Sequence, residues 1–167
     1  MREEHIGGLR TRVTGGTDGK GGGNGPVVIL LHGFGAPGND LVPLADVMDV
    51  PVGTRWFFPE GPLSLSFGPS DARAWWIIDM ARIAADQAAG RVRDLSQDIP
   101  KGLAPARETM LAFLKEVEHK FGADPRKTIL GGFSQGAMLS CDLMLRTTQP
   151  YAGLIQLSGT LLAAQEW

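Results

Sequence analysis

The sequence has a single cysteine, no run of basic residues and no long apolar segment, and each shortage excludes a class of protein. Because Cys141 is the only cysteine among 167 residues, an internal disulfide is excluded. No apolar run approaches the roughly 20 residues that cross a bilayer, and the polar start from Met1 to His5 does not resemble a secretory signal. We therefore expect a cytoplasmic protein without a membrane span, in which Cys141 is a small buried hydrophobe.

The charge and composition indicate which partners and how many domains to expect. The formal net charge is -2, and without a Lys/Arg cluster there is no basic field to hold phosphates, so we expect no nucleic-acid partner. Hydrophobic residues make up 43% of the chain, which is enough for a packed core. We expect one domain spanning residues 1–167.

Glycine is abundant between residues 15 and 25, where a phosphate-binding loop has to be considered. Gly19 and Lys20 are followed by Gly21 rather than by the Ser or Thr of a P-loop. These glycines also precede a strand, whereas a dinucleotide fingerprint follows one. The segment is expected to be a turn or flexible loop.

Strand-like and helix-like segments alternate along the chain. A long stretch of poor periodicity, residues 60–100, reads as an excursion over one rim of the sheet and includes the pair Trp75-Trp76. The alternation predicts an open, mostly parallel sheet with helices on both faces. The predicted strands are 9–14, 27–31, 55–58, 128–131 and 153–158, and the predicted helices are 40–48, 103–121 and 137–145.

The pattern that carries chemistry is Gly132-Phe133-Ser134-Gln135-Gly136, between a predicted buried strand and a predicted buried helix. A sharp strand-to-helix turn lifts a nucleophile towards substrate and needs glycine on both sides. Ser134 is the candidate nucleophile, although an ordinary tight glycine turn remains an alternative.

The same helix start supplies a candidate oxyanion hole. The backbone N–H of Gln135 can donate to the oxygen that becomes negative when Ser134 attacks an acyl carbonyl. A second donor is expected from the loop after strand 27–31, and we assign it to the N–H of Phe34. His32 lies at the same rim, where it either accepts a proton or, as histidines at strand tips do more often, fixes its loop by hydrogen bonds.

These motifs together resemble the phospholipase/carboxylesterase family of α/β-hydrolases, which includes acyl-protein thioesterases. The resemblance implies an α/β-hydrolase fold and hydrolysis of carboxylic esters or thioesters without metal or organic cofactor. It also implies Ser134 as nucleophile, the N–H groups of Phe34 and Gln135 as oxyanion hole, and Trp75-Trp76 as a wall of the acyl pocket, although plain packing is an equal alternative for the two tryptophans. The matching segments are 31–35, 58–62, 73–76, 130–137 and 157–159.

The sequence departs from this family after the nucleophile. The family's triad continues with an aspartate and a histidine, but here Asp142 and Glu166 are the only acidic residues beyond Ser134, and no histidine follows. His119 is expected at the opposite rim, near the end of a crossover helix. Losing the triad base costs on the order of a million-fold in turnover, so we expect little activity from these 167 residues alone.

Three interpretations stay open: a hydrolase lacking its C-terminal strands and helices, an inactive binding module, and an enzyme completed by a second polypeptide. Ending at strand 153–158 would expose an apolar edge through Leu154, Ile155 and Leu157, so a homo-oligomer formed through this strand is a further expectation. The small-molecule substrate is expected to carry a short or medium acyl group.

Overall fold

A mixed β-sheet forms the frame of the computed structural model, which describes residues 1–66, 71–91 and 94–166. Within these residues seven strands join in the order β1-β2-β5-β4-β8-β9, with β3 paired to β2. The strands are β1 (Arg2–Ile6), β2 (Leu9–Gly16), β3 (Lys20–Gly22), β4 (Val27–Leu31), β5 (Arg55–Pro59), β8 (Thr128–Phe133) and β9 (Gly153–Leu157).

The half of the sheet that carries β4 is parallel. Strands β5, β4, β8 and β9 run in one direction, whereas β1 and β2 form an antiparallel hairpin beside them. Each residue of β4 is buried, as its unbroken aliphatic sequence predicts for a strand covered on both faces.

Helices cover the two faces as predicted. Val27, Ile29 and Leu31 pack into a core with α3 (Leu103–Phe121) and α4 (Gln135–Arg146). The alternate residues Val28 and Leu30 pack on the other face, among the residues around the short helix α1 (Leu44–Val47). This alternation follows from the pleat, which turns successive side chains to opposite sides.

Several local predictions were wrong. Strand β1 was not predicted, and the segment expected to be a loop contributes the end of β2 and the whole of β3. The helix expected from Asp40 begins only at Leu44, because the preceding residues form successive turns that start at Pro37. Helix α4 begins at Gln135, the start from which the oxyanion donor was predicted, two residues before the apolar segment 137–145.

The excursion between β5 and α3 contains elements that the sequence did not indicate. A small antiparallel pair, β6 (Leu63–Ser64) with β7 (Arg73–Ala74), is followed by helix α2 (Met80–Ala88). Short 3₁₀ turns occupy Pro125–Lys127 and Ala164–Glu166. Across the described ranges, no helix is long and apolar enough to cross a membrane.

Candidate active site

Ser134 lies at a sharp turn between β8 and α4. Its backbone has φ 49° and ψ -113°, a combination that an L-residue adopts only when its surroundings enforce it. The Ser134 N–H donates to Leu157 O over 2.8 Å, and its carbonyl accepts the N–H of Met138. The hydroxyl makes no capping bond to α4, so it remains available at the partly exposed tip of the turn.

The glycines on either side of Ser134 are required by close packing. A side-chain carbon at Gly136 would collide with the carbonyl of Leu31, and one at Gly132 would collide with the same carbonyl and with the backbone of Gly136. The turn is therefore pressed against the end of β4. This explains locally why the Gly-x-Ser-x-Gly pattern stands at this position.

A cavity of about 610 Å³ opens beside the serine. Ser134, Phe34 and Trp76 line it, together with apolar side chains from α4 and from the excursion. The charged residues of the lining are Asp79, Arg82 and Asp98, and most of the other lining residues are apolar. The remaining lining residues are Ile77, Ile78, Met80, Ile83, Leu95, Ile99, Pro100, Met138 and Leu162.

Gln135 and Phe34, the two residues predicted to supply the oxyanion amides, both lie close to the serine: Gln135 follows it directly, and Phe34 lines the same cavity. Gln135 is the first residue of α4, and N–H groups of a helix's first turn have no partner within the helix. Phe34 belongs to the loop after β4, which approaches the serine closely: a side-chain carbon at Gly33 would lie 3.5 Å from Ser134 Cβ. The loop is held by β7, because Gly35 N–H donates to Arg73 O over 2.8 Å and Arg73 N–H donates to Ala36 O over 3.1 Å.

His32 is buried, and both of its ring nitrogens are engaged by the backbone. Nε2 accepts the N–H of Gly61 over 2.9 Å, so the proton lies on Nδ1, which faces Gly33 O at 2.8 Å. Burial lowers the pKa of His32, which favours the neutral ring. This geometry supports the loop-fixing interpretation of His32 over a role as proton acceptor.

The two tryptophans have different positions. Trp76 lines the cavity, whereas Trp75 is not among its described lining residues and is 2% exposed. The Trp75 indole Nε1 donates to His32 O over 2.9 Å, and its ring lies beside the histidine with centroids 5.5 Å apart. Of the predicted wall, therefore, only Trp76 borders the cavity.

Sequence reasoning missed a buried ionic cluster beneath the Phe34 loop. Glu60 is 7% exposed and pairs with Arg73 at 2.8 Å and with Arg12 at 3.1 Å. A side-chain carbon at Gly38 would meet the Glu60 side chain, so the loop lies directly over this cluster. The signal was present in the segments 58–62 and 73–76, but nothing in the sequence indicated that their charged residues pair.

Asp142 and His119, which the sequence analysis set aside as partners for Ser134, lie in different surroundings. Asp142 accepts hydrogen bonds from Arg107 and Arg146, and its side chain is 1% exposed. His119 is exposed in the last turn of α3, which leads to the start of β8, whereas Ser134 follows the end of β8. Over the ranges that the structure describes, no group of three or more His, Cys, Asp or Glu side chains could hold a metal ion.

Cys141 differs from its prediction, because it is half-buried in α4 rather than fully buried. Burial, and secondarily the charge of Asp142, raises the pKa of its thiol. The cysteine is therefore a poor nucleophile at neutral pH.

The fold and the placement of the serine turn define an α/β-hydrolase. The chain belongs to the phospholipase/carboxylesterase family, whose family model matches residues 20–167. It is 30% identical over 134 residues to acyl-protein thioesterase 1 of Cryptococcus neoformans var. neoformans serotype D, covering 78% of this chain and 52% of that protein. The acyl-protein thioesterase 1 of Candida albicans is 28% identical over 139 residues, with coverages of 79% and 55%.

Solved structures show the same architecture. The crystal structure of esterase PE8 matches with a TM-score of 0.74 and 28% identity, covering 95% of this chain and 67% of that one. A carboxylesterase from Mesorhizobium loti matches with a TM-score of 0.70 at 19% identity, covering 97% and 68%. The chain thus spans about half the length of the curated relatives.

Proposed function

We propose that the protein is a serine hydrolase of carboxylic esters or thioesters that reacts through an acyl-enzyme on Ser134. The Ser134 Oγ attacks the acyl carbonyl carbon, and the carbonyl oxygen becomes negative. The N–H groups of Phe34 and Gln135 donate to that oxygen. The alcohol or thiol then leaves with a proton, and water releases the acid from Ser134.

The observation that carries the proposal is the strained backbone of Ser134, a residue that lines the cavity. A serine in a φ 49° turn costs free energy, and such strain persists where the surrounding structure enforces it. The hydroxyl makes no capping bond to α4 and borders the cavity. An ordinary glycine turn would require neither feature.

The mostly apolar cavity supports an acyl chain as the group bound beside Ser134. At about 610 Å³ its volume lies in the range of small-molecule sites, with Trp76 and Met138 offering apolar contact. Both esters and thioesters present the same acyl carbonyl to the serine.

The proton acceptor of Ser134 is proposed to come from sequence outside these 167 residues, either from a continuation of the chain or from a second polypeptide. The family relationship supports this, since the aligned part of the chain covers only 52% and 55% of those two relatives. Without a base, the expected rate falls by about a million-fold, leaving the contribution of the oxyanion hole and of binding.

A fluorophosphonate probe tests the assignment, because its reaction requires an activated serine. The 167-residue chain is compared with a chimaera in which the C-terminal segment of esterase PE8 follows residue 166. We expect rapid labelling of Ser134 in the chimaera, located by peptide mass spectrometry, and slow labelling in the shorter chain.

The control is Ser134→Ala in both chains, which should abolish labelling and hydrolysis. Matched p-nitrophenyl esters and acyl thioesters of increasing length then define the substrate. If the chimaera hydrolyses esters while Ser134 stays unlabelled, or if Ser134→Ala retains activity, the proposed nucleophile is wrong.

A further inference from the structure

The side chain of Gln135 is buried, and both ends of its amide are hydrogen-bonded to backbone groups. It is 0% exposed, although it neighbours the partly exposed Ser134. Its Oε1 accepts the N–H of Trp75 over 2.9 Å, and its Nε2 donates to the carbonyl of Trp76 over 2.8 Å. Because a peptide N–H only donates and a carbonyl only accepts, these partners fix the orientation of the amide.

Trp75 links the Gln135 side chain to the loop that follows strand β4. The Trp75 indole donates to His32 O, and His32 in turn binds Gly61 and Gly33 through its ring nitrogens. His32 O lies two residues before Phe34. Buried hydrogen bonds therefore connect the start of α4 with the loop that carries the other oxyanion amide.

The second partner of Gln135 belongs to the cavity wall. Trp76 is 3% exposed and lines the cavity, so the bond to its carbonyl fixes the backbone of a wall residue relative to the serine turn. One amide thus connects three parts of the site: the helix start, the wall and, through Trp75, the Phe34 loop.

We propose that the Gln135 side chain is a positioning residue, which holds the Trp75-Trp76 backbone so that the acyl-binding wall and the two oxyanion amides keep their spacing. This proposal rests on the proposed function, which gives the two amides their role as oxyanion donors. The hydrogen-bonded frame itself can be tested without any reaction at Ser134.

The test uses two substitutions in the 167-residue chain. Gln135→Met keeps the length of the side chain but removes its acceptor and its donor. Gln135→Glu keeps an acceptor and loses the donor when ionised, whereas the protonated acid offers both again. The matched control is Gln156→Met, since Gln156 also bonds the backbone of α4, at Ala137 O, but is exposed and does not reach the tryptophans.

The first measurement is the backbone amide N–H resonance of Trp75, which donates to Gln135 Oε1, in a ¹⁵N–¹H spectrum and its hydrogen exchange. We expect a protected resonance in the parent protein and in Gln156→Met. Exchange should be roughly tenfold faster or more in Gln135→Met. Unchanged exchange in Gln135→Met would overturn the connection from Gln135 to Trp75.

The second measurement is the affinity for 1-decanol, detected by tryptophan fluorescence. This neutral probe has no acyl group, so it cannot react with Ser134. We expect Kd to rise about tenfold in Gln135→Met and to stay unchanged in Gln156→Met. The affinity of Gln135→Glu is compared with that of the parent protein at the same pH, so that protonation of His32 affects both. The two affinities should be close at acidic pH, and that of Gln135→Glu should weaken relative to the parent as the introduced acid ionises.

A general loss of folding would not give this recovery at acidic pH, so the pH profile separates positioning from stability. A pH-independent Gln135→Glu variant, or parent-like affinity in Gln135→Met, would overturn the proposal. Neither result would bear on Ser134, whose assignment depends on fluorophosphonate labelling of the chimaera.

Discussion

Gly136 lies against the carbonyl of Leu31 so closely that no side chain fits between helix α4 and strand β4. We expect Gly136→Ala to lower the free energy of unfolding by about 3 kcal/mol, because the new methyl group must push the helix start away from the strand. Urea unfolding followed by circular dichroism measures this change.

Gly153→Ala is the matched control for this substitution. The nearest atom to a side-chain carbon at Gly153 is Ile129 Cγ1 at 3.9 Å, an ordinary contact. Its effect should stay within about 0.5 kcal/mol. Equal stability of the two variants would show that the serine turn is not tightly packed.

Arg107 joins α3 to the helix that carries the serine. Its guanidinium donates to both carboxylate oxygens of Asp142, at 2.6 and 3.2 Å. Arg107→Met should lower the free energy of unfolding by about 2 to 4 kcal/mol, since the buried Asp142 carboxylate loses one of the two arginines that pair with it among the described residues and keeps Arg146. Thermal and urea unfolding would measure the loss.

Arg91→Met provides a comparison, because Arg91 is 61% exposed and pairs with Asp86. An exposed ion pair contributes less than about 1 kcal/mol. If both substitutions cost the same, burial of Asp142 does not determine the strength of the Arg107 contact.

His32 gives stability a dependence on pH. Since burial holds its folded-state pKa below the unfolded value of about 6.5, the unfolded chain binds the proton more readily. The His32 contribution is therefore complete above about pH 6.5 and is lost as the pH falls towards the folded-state pKa.

Urea unfolding between neutral and mildly acidic pH tests this expectation. His32→Gln should lose less stability over that interval than the parent protein does. His119→Gln, which changes an exposed histidine of α3, should keep the parent's dependence. An unchanged slope in His32→Gln would contradict the prediction.

Strand β9 is the last strand in the described order of the sheet, which leads us to expect self-association through it. Leu154 and Ile155, predicted to be exposed, instead pack partly against the two cores, because the pleat directs them to opposite faces. Leu157 is 37% exposed and remains the apolar side chain at this edge.

Leu157→Lys should reduce any concentration-dependent association seen by sedimentation velocity, since a charge at an edge opposes strand pairing. Leu111→Lys changes a similarly exposed leucine on α3 and should have no effect. A parent protein that stays monomeric throughout would contradict a homo-oligomer formed through β9.

Long apolar elements were predictable from the sequence, whereas short and polar ones were not. Strands β4 and β8 and helix α3 bury regular apolar patterns, which fix their type and nearly their ends. Strand β1 buries only Ile6 and carries charged residues on its other positions, so its pairing with β2 leaves little trace in composition.

The same distinction applies to the site. The turn at Ser134 could be located because it requires glycines within two residues, which is a local pattern. The different positions of Trp75 and Trp76 depend on hydrogen bonds to Gln135 and His32, which are distant in the chain. No local pattern encodes such contacts, so adjacent tryptophans could not be distinguished from the sequence.

Strand β4 lies between β5, which follows it soon in the chain, and β8, which is synthesised much later: Val27 pairs with Thr128. During synthesis one edge of this wholly apolar strand therefore stays unpaired until β8 has been made. The Phe34 loop and the serine turn meet only when that late pairing closes. We expect a slow final folding step and, until then, a nascent chain that depends on chaperones to shield β4.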